Sequence, residues 1–236
     1  MTGMRRCPPH LTSRLVPSLV SCLISCLALA CDVAAPGSFP PEDPELAANN
    51  EAAGDPHRGR FPLEQAVAGL PETGQLYATI VTDEGELRCT LLADVAPLAV
   101  ANFVGLARGL RPFLDPQLGT WTTRPYYDGL TFHRAVERQF VQGGRLGEDK
   151  WIGFLLQDER SIGTAFDKPG VLALANQGAP NTSAGEFFVT TEVLRNLDGQ
   201  YTIIGRCEPT FVARALAVRT HAGERPVIQT VQITRE

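Results

Sequence analysis

The first thing this 236-residue chain lacks is a basic surplus. Its 21 Lys and Arg face 26 Asp and Glu, so the formal net charge is -5 and the pI is near 5.5. That balance excludes a broad cationic surface for nucleic acid. No uninterrupted apolar run is long enough for a good membrane-spanning helix. The best candidate, Leu15 to Cys31, is broken by Ser, Pro and Cys. No periodic repeat is visible. Cysteine is scarce where a fold is expected. Four of the six cysteines (Cys7, Cys22, Cys26 and Cys31) lie in or beside the N-terminal segment, which leaves Cys89 and Cys207.

The composition is otherwise ordinary. With 44% hydrophobic and 20% charged residues, there is material for one good core once the N-terminus is set aside. Arg5, Arg6 and Arg14 precede the apolar run, and small residues end it. That is the layout of a secretory signal over residues 1–31. LALAC, ending at Cys31, resembles a bacterial lipobox, with Ala28 where Leu is usual; LISC, ending at Cys26, is the alternative. Two readings stand: a diacylated cysteine anchoring the chain to a membrane, or secretion after Ala28, Leu29 and Ala30. Either implies an exported protein of the cell envelope, and the first a lipoprotein facing the periplasm. Such a compartment permits a Cys89–Cys207 disulfide, and two buried free thiols are the other reading.

Asp32 to about Gly59 is rich in Pro, Ala, Asn and acids and shows no apolar periodicity. It reads as a disordered tether, extending to residue 70 with a short helix over 61–70. The folded domain is expected over 71–236. QLYATIVTDEGELRCTLL reads as a hairpin turning at Asp83, Glu84 and Gly85. PLAVANFVGLARGL keeps helical spacing from Pro97 and stops at Gly109. Short strands follow at Leu130–Arg134, Phe140–Gln142, Val171–Ala175, Phe187–Thr190 and Thr202–Ile204. A helix over Phe211–Val218 and a last strand in VIQTVQIT complete the chain. Many short strands with few helices predict a mainly β domain, a closed antiparallel barrel.

The motifs APLAVANFVGLARG, YYDGLTFHR, FVQGG, KPGVLALAN, PNTSAGEFFVT, LDGQYTIIG and RPVIQTVQI occur in one order from about Gln75 to Glu236. In that order they resemble the cyclophilin-type peptidyl-prolyl cis-trans isomerases. The resemblance implies a closed eight-stranded antiparallel barrel capped by two α-helices, with a peptide groove on its outer face. It implies proline-containing polypeptides as substrates, no cofactor or metal, and a monomer. It assigns Arg134 as the catalytic donor and Gln142 as its orienting partner. Ala175 and Asn176 would supply backbone to the peptide. Phe188 would floor the proline pocket, with Leu197 as an apolar wall and Tyr201 beside it where the family commonly has histidine. Phe187 should point into the core by strand alternation. His133 is read as a packed, hydrogen-bonded residue and not as a base.

The chain departs from the family pattern in several places. Gln139 stands where an aromatic wall is expected, and Phe140 follows it. Either a bulge turns Phe140 into the pocket, or Gln139 truly replaces the wall. Glu186 stands where glutamine is usual, where a carboxylate is able to compete for the charge of Arg134. Asn196 replaces a tryptophan common in eukaryotic members, and Ala179 reads as an insertion. These changes motivate an alternative to a full isomerase: a catalytically weakened binding module or chaperone for proline segments. The insertion from Arg111 to Pro125 raises a further idea, partner docking through Trp121, against simple packing of that ring.

Overall fold

A computed structural model describes residues 37–148, 151–160 and 164–236. The expected signal segment, with Cys26 and Cys31, lies outside the described residues.

Ten strands and four helices make up the described fold. They run α1 (Pro44–Ala52), α2 (Leu63–Ala66), β1 (Leu76–Thr82), β2 (Gly85–Leu91), α3 (Pro97–Ala107), β3 (Phe113–Asp115), β4 (Thr120–Thr122), β5 (Phe132–Val136), β6 (Phe140–Gly143), β7 (Val171–Leu174), β8 (Phe187–Thr190), β9 (Ile203–Glu208), α4 (Thr210–His221) and β10 (Ile228–Arg235). Eight strands form one antiparallel sheet in the order β10-β1-β2-β9-β7-β8-β6-β5, and β3 pairs with β4 alone. The β1–β2 turn falls at Asp83 and Glu84, as the hairpin reading expects. Helix α3 starts with Pro97 in its first turn, and the chain leaves it through Gly109 at φ +70°.

The expected closed barrel is corrected to a half-barrel. The strand ladder is open between its edges, β10 and β5. The segments leading into those edges meet in a short seam, a single bridge at Thr131–Val227 flanked by Phe132 N–H to Pro226 O at 2.9 Å and Ile228 N–H to Leu130 O at 2.7 Å. The physical cause is local. The approach to β5 turns at Gly129 (φ +79°), and Pro226 on the other side has no N–H to give. Neither segment is extended for long enough to build a ladder.

Strand alternation divides the apolar residues between two faces. The inner face carries the core. Val100, Phe103 and Val104 of α3, Leu216 of α4, Ile80, Leu87, Val141, Leu172, Phe187 and Ile204 are all fully buried there. Cys89 and Cys207 face each other across β2 and β9 and are joined as a disulfide, so the free-thiol reading falls. The outer face of β6, β7 and β8 carries a second, smaller apolar cluster, described below.

The stretch expected to be a disordered tether is ordered from Gly37 on. Asp43 caps α1, its Oδ1 accepting the N–H groups of Glu45 and Leu46 at 3.1 Å each. The following loop buries Asp55, whose carboxylate makes a two-pronged pair with the Arg111 guanidinium at 2.7 Å on both prongs, with both side chains fully buried. Arg111 also stacks on Phe154, 3.8 Å from guanidinium carbon to ring centre. Composition misled here because it weighs apolar residues. This segment is held largely by polar groups that find buried partners. Trp121 packs rather than standing free. A Cβ on Gly153 would lie 2.6 Å from its ring, and the ring also covers Gly54. The insertion thus serves as the seat of the N-terminal segment.

Burial alone raises the pKa of Asp55, but Arg111 and the amides of Gly59 and His57 outweigh it and hold the carboxyl below its usual value. Replacing Asp55 with Ala strands a charged guanidinium in the interior. The expected loss is on the order of 3–5 kcal/mol of unfolding free energy, read as a lower urea midpoint.

Candidate functional site

The site begins with a register shift. Phe132 pairs with Gly143, but Arg134 pairs with Gln142, so His133 is an extra residue on β5. In a strand without this shift, residues 132 and 134 would share a face. The bulge lets Phe132 enter the core at 0% exposure while Arg134 stands on the outer face. The arginine is thereby delivered beside a second bulky pair. Val136 pairs with Phe140 across a three-residue turn, whose Arg138 takes φ +56° and whose Gln139 N–H bonds Val136 O at 3.0 Å. Gln139 is exposed in that turn, and its carbonyl accepts Thr191 N–H at 2.7 Å. Gln139 is not part of the outer apolar cluster, whereas Phe140 packs against it and supplies an aromatic ring there.

The outer cluster is built around Phe188. Its ring centre lies 5.3 Å from Phe140, 5.1 Å from Tyr201 and 5.9 Å from Phe166, the last stacked at 9°. Leu197, on a short 3-10 turn over Arg195–Leu197, packs against the same cluster, and Ala175 closes one end. Phe187, the neighbour of Phe188, points the other way and meets Phe103, Tyr127 and Phe132 in the core. Phe166 was not singled out from sequence. It sits in a loop without alternation, and only its aromatic nature marked it.

Arg134 lies at the rim of this cluster, its guanidinium carbon 4.9 Å from the Phe140 ring centre. Its Nη1–H donates to Gln142 Oε1 at 3.0 Å. Gln142 Nε2–H donates onward to Glu186 Oε2 at 2.5 Å. Glu186 Oε1 accepts from Arg145 Nε–H at 2.9 Å, and His133 Nε2 lies 3.4 Å from Glu186 Oε2. The expectation that Glu186 competes for Arg134 is therefore corrected. The carboxylate pairs with Arg145 and reaches Arg134 only through the glutamine amide. An acceptor-only carboxylate on one side and a donor-only guanidinium on the other allow a single orientation of that amide. Arg145, which the sequence reading passed over, supplies the compensating charge.

Burial works to raise the Glu186 carboxyl, but His133, Arg145 and Gln142 prevail and bring it down to about 2. Two tyrosines keep the frame rigid. Tyr126 O–H donates to Gly144 O and Tyr127 O–H to Gly185 O, both at 3.0 Å, which pins the chain just after Gln142 and just before Glu186. Asn176 serves a turn. Its Oδ1 accepts Gly178 N–H at 3.1 Å and its Nδ2–H reaches Gln200 O at 3.2 Å, while Ala175 N–H is committed to Glu186 O.

The site thus sets a guanidinium beside an aromatic cluster on one face of the sheet. Comparison with known proteins gives this arrangement its context. Residues 77–235 match the family model described as "Cyclophilin type peptidyl-prolyl cis-trans isomerase/CLD". The chain belongs to that family. Over 133 residues it is 40% identical to peptidyl-prolyl cis-trans isomerase B of Streptomyces anulatus, covering 56% of this chain and 75% of that one. Over 167 residues it is 34% identical to peptidyl-prolyl cis-trans isomerase A of Mycobacterium tuberculosis, covering 66% and 91%. Among solved structures, a Cryptosporidium parvum cyclophilin-type isomerase, determined in the presence of the dipeptide Ala-Pro, superposes with a TM-score of 0.56 at 25% identity, covering 68% of this chain and 99% of that one. The cyclophilin match starts at residue 77, so the ordered segment from Gly37 to Gln75 lies outside it.

The depressed Glu186 carboxyl sets a pH window. Its folded pKa of about 2 lies below the usual 4.5. The stabilisation is therefore complete above 4.5 and is lost as pH falls from there toward 2. Urea midpoints of the wild type should fall more steeply through that window than those of Glu186→Gln.

Proposed function

We propose that this chain catalyses cis-trans isomerisation of X-Pro bonds in exported polypeptides, without covalent chemistry, by stabilising the twisted amide. Amide resonance sets a barrier of ~18–20 kcal/mol. When the bond twists, resonance is lost and the prolyl nitrogen regains a localised lone pair. A donor aimed at that nitrogen binds the twisted state more tightly than either planar form, and only such differential binding raises the rate. Arg134 is that donor. It stays protonated, and Gln142 holds its fork in one orientation. Phe140, Phe188, Leu197 and Tyr201 grip the proline ring, so rotation falls on the acyl side. The second N–H of the Gln142 amide remains for a substrate carbonyl. The observation that carries the reading is the juxtaposition of the Arg134–Gln142–Glu186 chain with the Phe188 cluster on one face of the sheet.

The assay is isomerisation of a short proline peptide by the purified chain. Arg134→Ala is expected to cut the rate about a hundredfold or more, the scale of a lost oxyanion-type donor. Phe140→Ala should cost roughly tenfold, in line with a lost aromatic contact worth on the order of 1–3 kcal/mol. Gln139→Phe should stay within about twofold, because that side chain stands in the turn. Wild-type turnover no faster than that of Arg134→Ala would favour the proline-binding module instead.

The substrates follow from the address. Arg5, Arg6 and Arg14, the apolar run and Cys31 support export and lipid anchoring, and a Cys89–Cys207 disulfide suits an oxidising compartment. With Cys31 as the anchor, the full chain fractionates with membranes and Cys31→Ser releases it to the soluble fraction. If Cys26→Ser alone does so, Cys26 is the lipidated residue.

A further inference from the structure

The segment that precedes the cyclophilin match does more than lie on the surface. Asn50 is 1% exposed and works as a two-way clamp. Its Nδ2–H donates to Leu155 O and its Oδ1 accepts Leu155 N–H, both at 2.9 Å, as a neighbouring strand would. Gly59 closes behind it, and a Cβ there would lie 2.4 Å from Asn50 Nδ2. Asp43 makes a second attachment. Its N–H donates to Gln157 Oε1 and its Oδ2 accepts Asn181 Nδ2–H, both at 3.3 Å.

The residues so held are themselves bound to a wall of the groove. Leu156 N–H donates to Ser183 O at 2.8 Å in an isolated bridge. Asp158 N–H donates to Asn181 Oδ1, and Asn181 N–H returns to Asp158 Oδ2, both at 2.9 Å. Asn181 holds φ +57°, a conformation asparagine tolerates and these two bonds retain. The next residue, Thr182, accepts Gln177 N–H at 2.9 Å and helps line a shallow recess with Ala175, Asn176, Ala184 and Glu186. Ala175 also belongs to the Phe188 cluster, and Glu186 to the Arg134 chain. The recess therefore continues the groove past the proline pocket.

We propose that residues 37–60 form an intramolecular brace that shapes this recess, and that Asn50 and Asp43 are positioning residues for the peptide residues flanking the proline. The inference rests on the groove reading of the preceding section. The brace acts on binding and leaves the Arg134 chemistry alone. No atom of Asn50 or Asp43 need touch the substrate, because their hold on Leu155–Asp158 fixes Asn181–Ser183.

The test compares two ligands of different length on the full chain. Ala-Pro fills the proline pocket but is too short to extend into the recess. Ala-Ala-Pro-Phe has flanking residues that do. Affinities are read by NMR titration, and turnover of the tetrapeptide is measured beside them. Asn50→Ala should bind the tetrapeptide about fivefold more weakly, the scale of roughly one lost hydrogen bond. KM should rise in step with kcat nearly unchanged, and the dipeptide affinity should not move. Equal weakening for both ligands would mean a general softening of the domain, and no weakening for either would mean a brace without influence on the groove. Either result overturns the inference. If Asn50→Ala does not fold, Asp43→Ala is read by the same comparison, since it leaves the Leu155 clamp in place. A wild type that binds both peptides without turnover refutes the isomerase reading, yet the length comparison still decides the role of the brace. A wild type that binds neither removes the groove reading and this inference with it.

Discussion

A strand offers alternate side chains to alternate faces, and this constraint governs the site. Phe132 is needed inside, where Phe187 meets its ring edge-on at 6.0 Å. Arg134, two residues on, is needed outside. A regular strand cannot do both. The extra residue at His133 resolves the conflict locally, and everything downstream inherits the result. Once Arg134 faces outward, its register partner Gln142 does too, and Val136 and Phe140 follow at the next outward pair. The neighbouring strand then brings Phe188 opposite Gln142. One bulge thus sets cation, amide and aromatic floor side by side. The displaced residue is not idle, since His133 lies against Glu186.

Charge is the second constraint. The proposed role of Arg134 requires that it remain available, so that no carboxylate takes it directly. Glu186 is nevertheless close, separated from it by a single amide. The arrangement works because Arg145 neutralises the carboxylate from the far side. Gln142 then lies between opposite charges in a partly buried site, where each hydrogen bond polarises the next. A glutamine at position 186 would carry an amide of its own, with both donor and acceptor, and would leave the orientation of Gln142 less strictly determined. The carboxylate removes that freedom. Its cost is a buried charge, offset by three partners.

Much of this was legible in the sequence. The hairpin at Asp83 and Glu84, the helix from Pro97, the outward Phe188 beside the inward Phe187 and the strand over Phe140 all follow from alternation, turn chemistry and ordered motifs. What was not legible depended on through-space pairing. The choice between Gln139 and Phe140 turned on a three-residue turn with Arg138 at positive φ, and no local propensity marks an arginine for that conformation. The consequence of Glu186 depended on Arg145, 41 residues away. The opening of the sheet depended on how few residues join the approaches to β5 and β10, which a count of strands does not contain.

The N-terminal segment shows the limit most plainly. Low apolar content and many acids and prolines argue for disorder because such a chain buries too little surface to offset its ordering entropy. That argument assumes that burial is apolar. Here Asp55 enters the interior as a bound carboxylate, accepting two prongs from Arg111 and two backbone N–H groups, from His57 at 3.1 Å and Gly59 at 2.6 Å. Arg111 in turn lies against the Phe154 face. Each partner would be intolerable in the interior without the other. The pair therefore does not so much add stability as specify one seating of the segment, because any slip exposes two uncompensated charges. A segment seated so strictly can hold Asn50 against Leu155 in a fixed register, which a tether attached by apolar contacts alone would not do.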